Sequence, residues 1–203
     1  MGLSKLTPAT ACAVLALILL AGCIGSPAPL AKASPPPSPS GSEPPPSPTP
    51  PRPPAAYRLT PNQVGLPLVS ARDHLGYLEA ASEERDQATA LELYQTFDWV
   101  DQARGNFASG SRSVNEMVLV TLRVAGAHNA FGYWGRLAVK APLVASPCPA
   151  QSGLDQCAEG RLGSRSAAAG RRGVVVFYLV AVGADIDALL TAQAAALSAG
   201  PPA

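Results

Sequence analysis

Nine consecutive apolar residues, Val174-Val175-Val176-Phe177-Tyr178-Leu179-Val180-Ala181-Val182, lie between Gly173 and Gly183 and constrain the fold more than any other stretch. As a helix the run would rise about 1.5 Å per residue and cover under half of a hydrocarbon layer about 30 Å thick. It is too short to cross a bilayer. Its β-branched and aromatic content favours a strand, and the lack of polar alternation requires that strand to be covered on both faces. Asp185 then caps a terminal helix in which Ile186, Leu189, Leu190, Ala194 and Leu197 form one apolar stripe that must lie across the sheet.

The residues upstream supply the other elements. Thr60-Pro61 is an N-cap followed by proline at the first helical position, and Gly65 closes that single turn. Leu66 to Ala71 reads as a short strand. Leu75 to Phe97 reads as helical, with Leu78, Ala81, Ala88, Leu91 and Tyr94 near one face and a polar break at Ser82 to Asp86 that can split it. Phe97, Trp99 and Phe107 around Arg104-Gly105-Asn106 suggest a hairpin or an exposed strand with a glycine turn, and Ser109-Gly110-Ser111 reads as a flexible turn. From Glu116 to Val124, alternating Val118, Val120, Leu122 and Val124 predict a strand with Glu116 on its half-solvated side. Ala127, Ala130, Phe131, Trp134 and Ala138 recur at helical spacing, so that helix should place an aromatic-rich face on the sheet. Gly126, Gly132 and Gly135 should each weaken it by up to about 1 kcal/mol relative to alanine. The stretch from 140 to 170 is poorly patterned.

Ahead of this domain the chain has a different character. Lys5 precedes an uninterrupted apolar core of about 13 residues, Ala9 to Ala21, too short for a membrane span and of the length of an export signal. Leu20-Ala21-Gly22-Cys23 at its end resembles the lipobox of bacterial lipoproteins. That resemblance implies cleavage before Cys23, diacylglycerol on its sulfur and acylation of its new amino group, which together give stable membrane attachment. An ordinary cleaved signal with an incidental cysteine is the competing reading. Residues 23–56 follow as a tether: from Ser34 to Pro54 prolines alternate with Ser, Thr and Gly, a composition that cannot bury apolar surface and leans to extended polyproline II. Pro-x-x-Pro repeats there can also serve as ligands for aromatic grooves, though a spacer is the simpler role. The division expected is a signal peptide at 1–22, a lipidated tether at 23–56, a folded domain at 57–198 and a tail at 199–203.

Charge excludes some partners. Of 15 basic and 14 acidic residues, Lys5, Lys32, Arg52 and Glu43 lie ahead of the domain, leaving 12 against 13 within it. There is no basic stripe for nucleic acid. Arg171-Arg172 reads as a solvated strand entry. Of four cysteines, Cys12 leaves with the signal and Cys23 is taken by lipid, so Cys148 and Cys157 should pair in an oxidising compartment. A zinc site is the alternative, against which stand the missing Cys-x-x-Cys and the missing histidine pair.

Catalytic motifs are absent. No Gly-x-Ser-x-Gly, Ser-x-x-Lys, His-Glu-x-x-His, Walker loop or Gly-x-Gly-x-x-Gly occurs, and His74 and His128 are the only histidines. Asp185 and Asp187 are explained by helix capping. Asp98 and Asp101, flanking Trp99, form the one acidic pair near aromatics and the basis of a glycan-hydrolase alternative. The preferred reading is a non-enzymatic domain, needing no cofactor or metal, that binds a protein or small ligand in the cell envelope. Trp99, Phe107, Tyr133 and Trp134 are its candidate binding surface.

Leu59-Thr60-Pro61 to Val64-Gly65, then Gly126-Ala127 with Ala130-Phe131, then Arg172-Gly173-Val174-Val175 and a final helix resemble a loose class of uncharacterised bacterial lipoproteins. More remotely they are similar to extracytoplasmic sensor-like domains of mycobacterial membrane kinases. The resemblance implies one α+β domain, an antiparallel sheet with helices on one face, an extracytoplasmic location, and no catalytic residues.

Overall fold

The computed structural model describes residues 52–149 and 153–199. The expected signal peptide, Cys23 and its lipobox, most of the tether and the last four residues lie outside these. A 3₁₀ turn at Pro54–Tyr57 leads into α1 (Pro61–Val64), β1 (Leu68–Leu75), α2 (Tyr77–Ser82), α3 (Gln87–Gln95), β2 (Trp99–Ser109), β3 (Arg112–Thr121) and α4 (Val124–Ala138). β4 (Val144–Ser146), β5 (Gln156–Leu162), β6 (Arg165–Arg172), β7 (Val175–Val182) and α5 (Ile186–Ser198) complete the chain. The strands form one seven-stranded sheet in the order β1-β2-β3-β7-β6-β5-β4. Every pairing is antiparallel.

This is the α+β class with an antiparallel sheet, as expected. The apolar run is the central strand, β7, with three strands on either side. Its alternate residues feed two separate cores. Phe177, Leu179 and Ala181 point to one face, with Val118, Tyr57, Leu59, Val64 and the α5 residues Ile186, Leu189 and Leu190. Val176 points to the other, with Leu119, Ala130 and Trp134 of α4, Ala80 of α2 and Tyr94 of α3. Helices therefore cover both faces, not one: a strand apolar on both sides must be shielded from water on both. A fully buried Phe or Leu stabilises the fold by about 1.5 to 3 kcal/mol, so Phe177 and Leu179 tie both meanders of the sheet to α5.

The first helix turn forms as the sequence dictates. Thr60 and Gln63 make a reciprocal capping box and Gly65 ends the turn at φ 68°. Asp185 accepts from the Asp187 and Ala188 amides at the start of α5. The region from 75 to 97 splits at its polar break into α2 and α3, but β1 runs on to Leu75 before α2 begins. Leu78 and Ala88 face water, while Ala80 and Ala90 take the buried positions. Gly105 is not a turn but lies mid-strand in β2; the hairpin turns at Gly110, φ 59°. β3 stops at Thr121, which leaves Leu122 and Val124 exposed rather than on the core stripe.

Candidate functional site

Where α3 meets the sheet, the chain makes a tight bend at Asp98, whose φ of 50° lies in the left-handed region. Two contacts hold that bend. The Asp98 carbonyl accepts from the Leu122 amide at 2.8 Å. Its carboxylate accepts from Arg123 Nε at 3.0 Å and Nη2 at 2.6 Å. This two-point contact with the guanidinium lowers the Asp98 carboxyl below its ordinary range. A register shift between Trp99 and Asp101 then displaces Val100 from the ladder and leaves it half exposed.

The bend opens a cleft of about 310 Å³ lined by Tyr77, Tyr94, Gln95, Asp98, Trp99, Val100 and Leu122. Tyr94 and Trp99 meet at 5.0 Å between ring centroids, tilted by 41°. Their polar atoms are already engaged inside the protein. The Trp99 indole N–H donates to the Leu75 carbonyl at 3.0 Å, and the Tyr94 hydroxyl donates to Glu84 at 2.9 Å. Burial and the neighbouring Glu84 push the Tyr94 phenol well above its ordinary value, so it stays protonated. The cleft thus offers ring surface, two exposed aliphatic side chains, the Gln95 amide and the Tyr77 hydroxyl, while its one ionic group is matched by Arg123. That chemistry suits a neutral, flat, mostly apolar ligand, and the volume falls at the lower end for small-molecule sites.

The four aromatics expected to form one binding surface do not come together. Phe107 is buried at 1% exposure in the core beneath α5, on the opposite side of the sheet from Trp134. Trp134 is buried at 3% beside Tyr178, ring centroids 6.3 Å apart. Tyr133 is half buried against Phe97 at 6.1 Å. Of the four, Trp99 alone lines the cleft. Tyr77, Tyr94, Val100 and Leu122 do not stand out as a group in the sequence, because apolar alternation runs past Thr121 to Val124 and carries no sign of the bulge at Val100 or of the early end of β3. A solvent-facing aliphatic pair flanking an aromatic bend is the signal that points to them.

Asp98 and Asp101 are held by different partners. Asp101 accepts from the Leu75 and Gln102 amides at 3.0 and 2.8 Å, and its other oxygen meets His74 Nδ1 at 2.6 Å. His128 meets Gln156 at 3.1 Å. Cys148 and Cys157 are joined by a disulfide. Among the described residues no cluster of His, Cys, Asp and Glu is arranged for a metal, and no helix is long and apolar enough to cross a membrane. A larger hollow of about 590 Å³ lies beside the start of α5, lined in part by Ser146, Arg161, Asp185, Asp187 and Thr191. There Arg161 bridges Glu159 and Asp187, while Asp185 accepts from the Asp187 and Ala188 amides.

No protein-family model matches this sequence, and no curated protein matches it. Among solved structures it is similar to the extracellular domain of PknH from Mycobacterium tuberculosis, at 11% identity and a TM-score of 0.46, covering 71% of this chain and 95% of that one.

Proposed function

We propose that this chain is a lipid-anchored extracytoplasmic protein whose folded domain binds a neutral, largely apolar small molecule in the Tyr77–Tyr94–Trp99–Leu122 cleft. In this reading the acylated Cys23 holds the chain to the outside of a membrane, the Pro/Ser-rich segment to residue 56 is the stalk, and the domain senses or carries its ligand without transforming it. The observation that carries the binding role is the pairing of an aromatic-walled cleft with solvent-facing Val100, 52% exposed, and Leu122, 72% exposed. Apolar side chains left in water beside a cleft lose that unfavourable exposure when a ligand covers them.

Binding is tested with the exported chain and a neutral solvatochromic naphthalene dye. The wild type should bind with a blue shift, and Val100→Asp with Leu122→Asp should weaken binding at least tenfold while leaving the unfolding midpoint in place. Equal binding by both proteins, or none by the wild type, defeats the cleft assignment. The anchor is tested separately: Cys23→Ala should move the protein from the membrane fraction to the soluble one, and unchanged membrane retention refutes acylation at that residue.

A further inference from the structure

Beneath the point where the chain enters the folded body lies a buried carboxyl that the cleft does not use. Residues 57–59 cross the sheet as a strap, with the Tyr57 and Leu59 side chains in the core on the α5 side and three polar contacts along it. The Tyr57 carbonyl accepts from Gln193 Nε2 of α5 at 2.8 Å. Arg58 pairs with Asp73 of β1. The Leu59 amide donates to the Glu116 carboxyl of β3, 3.0 and 3.1 Å from its two oxygens. The sheet is shaped to receive this strap. Gly105 of β2, directly opposite Glu116, has no side chain where the Arg58 stem lies; a Cβ there would sit 2.9 Å from Arg58 Cδ.

Glu116 is 1% exposed and Gln193 is fully buried, yet no donor reaches Gln193 Oε1. A buried acceptor without a donor beside a buried carboxyl is costly as long as the carboxyl is ionised. A proton removes the buried charge: Glu116 becomes a neutral acid that still accepts from Leu59. We propose that Glu116 is a proton-operated clasp, locking the Tyr57–Leu59 strap over the sheet when protonated and releasing it when ionised.

The surroundings leave the strap as the route by which an ionised Glu116 gains water. Gly105 of β2 and Leu179 of β7 flank it in the sheet, and Val114 and Val118 precede and follow it on the same face of β3. Gln193 of α5 supplies an amide. The nearby charge is Arg58, itself paired with Asp73. Burial pushes the Glu116 carboxyl up to about 8, against the opposing pulls of the Leu59 amide, Arg58 and Gln193. Because the strap is also where the stalk joins the domain, the clasp couples the pH outside the membrane to how firmly the body is held at its point of entry.

Opening that exposes Glu116 returns it to an ordinary carboxyl near 4.5. The opening equilibrium should therefore rise about tenfold per pH unit between roughly 5 and 8 and level off above that. Hydrogen exchange on the exported chain reads it directly. After correction for base catalysis, the Leu59 amide should exchange faster than amides of β7 at every pH and lose protection over that range. In Glu116→Gln, which keeps an acceptor for Leu59 and carries no titrating proton, the pH dependence should vanish. Leu59 exchanging as slowly as β7, or the same pH course in both proteins, overturns the clasp. If Glu116→Gln does not fold, carbon-detected titration of the wild-type Glu116 carboxyl decides: a midpoint well above the usual carboxylate range supports the clasp, and one near 4.5 overturns it.

Discussion

Replacing Gly126 with alanine sets two opposing effects against each other in one experiment. In an isolated helix Gly→Ala is stabilising by up to about 1 kcal/mol. In this protein the third residue of α4 is pressed against the Asp98 bend. An added Cβ would lie 2.2 Å from the Phe97 carbonyl oxygen, 2.6 Å from its carbon and 2.7 Å from Asp98 Cβ. Two of those three atoms are backbone, and the bend is fixed by Leu122 and Arg123, so the helix has to move. Restoring ordinary contact needs a retreat of about 1 Å, which loosens Ala127 and Ala130 from the sheet. Overpacking of this kind costs about 1 to 3 kcal/mol, with an unyielding backbone at the upper end. Clash therefore outweighs propensity, and a net loss of about 2 kcal/mol should lower the unfolding midpoint by roughly 4 to 8 °C for a domain of this size. Gly132, three residues short of Gly135 on the same helix, is the control. A Cβ there meets only Arg136 Nη1, at 3.9 Å. Gly132→Ala should stabilise by about 0.5 to 1 kcal/mol. Urea unfolding of the two variants under oxidising conditions checks both signs; Gly126→Ala as stable as the wild type, or both alanines shifting stability the same way, refutes the close-approach reasoning.

Other consequences are equally direct. Cys148 and Cys157 are nine residues apart, and a loop of that size lost from the denatured state's constraints should lower stability by about 2.5 to 3 kcal/mol in the double serine variant, measured by the same urea titration. The pH dependence of global stability has a definite sign at Glu116. Folding favours its protonated form, so the contribution is complete below about 4.5 and is lost as pH rises through about 8. The wild-type urea midpoint should accordingly fall between pH 5 and 8.5, and that of Glu116→Gln should stay nearly flat. Gly160→Ala should destabilise as Gly126→Ala does, since its Cβ would meet the Ala138 carbonyl oxygen at 2.3 Å.

The parts of this fold that could be read in the sequence are those where one local rule decides. Nine apolar residues in a row yield a central strand, Thr60-Pro61 with Gly65 a capped turn, Asp185 ahead of a stripe a terminal helix. The sheet edge from β4 to β6 was hidden because its residues are small or polar. Ala167-Ala168-Ala169-Gly170 has no β-propensity to display, and becomes strand because α4 and α5 pack closely on either side and Phe177 fills the space over Gly170. The charge of Glu116 argues for a solvated position, although alternation puts it on the face of Val118 and Val120. It is buried because the strap crosses above it, a contact 57 residues distant in sequence that no local window contains. The cleft was half legible for the same reason. Trp99 stood out as an aromatic between two aspartates, whereas Val100 and Leu122 reach the site only through a bulge and a strand end fixed by tertiary contacts.

A nuclear magnetic resonance titration of this chain with the neutral naphthalene dye tests the central claim most directly. Saturable shifts confined to the Trp99 indole, Tyr77, Val100 and Leu122, with β7 and the Glu116 strap unmoved, are the predicted result. Shifts scattered over the surface, or centred on the hollow beside α5, contradict it.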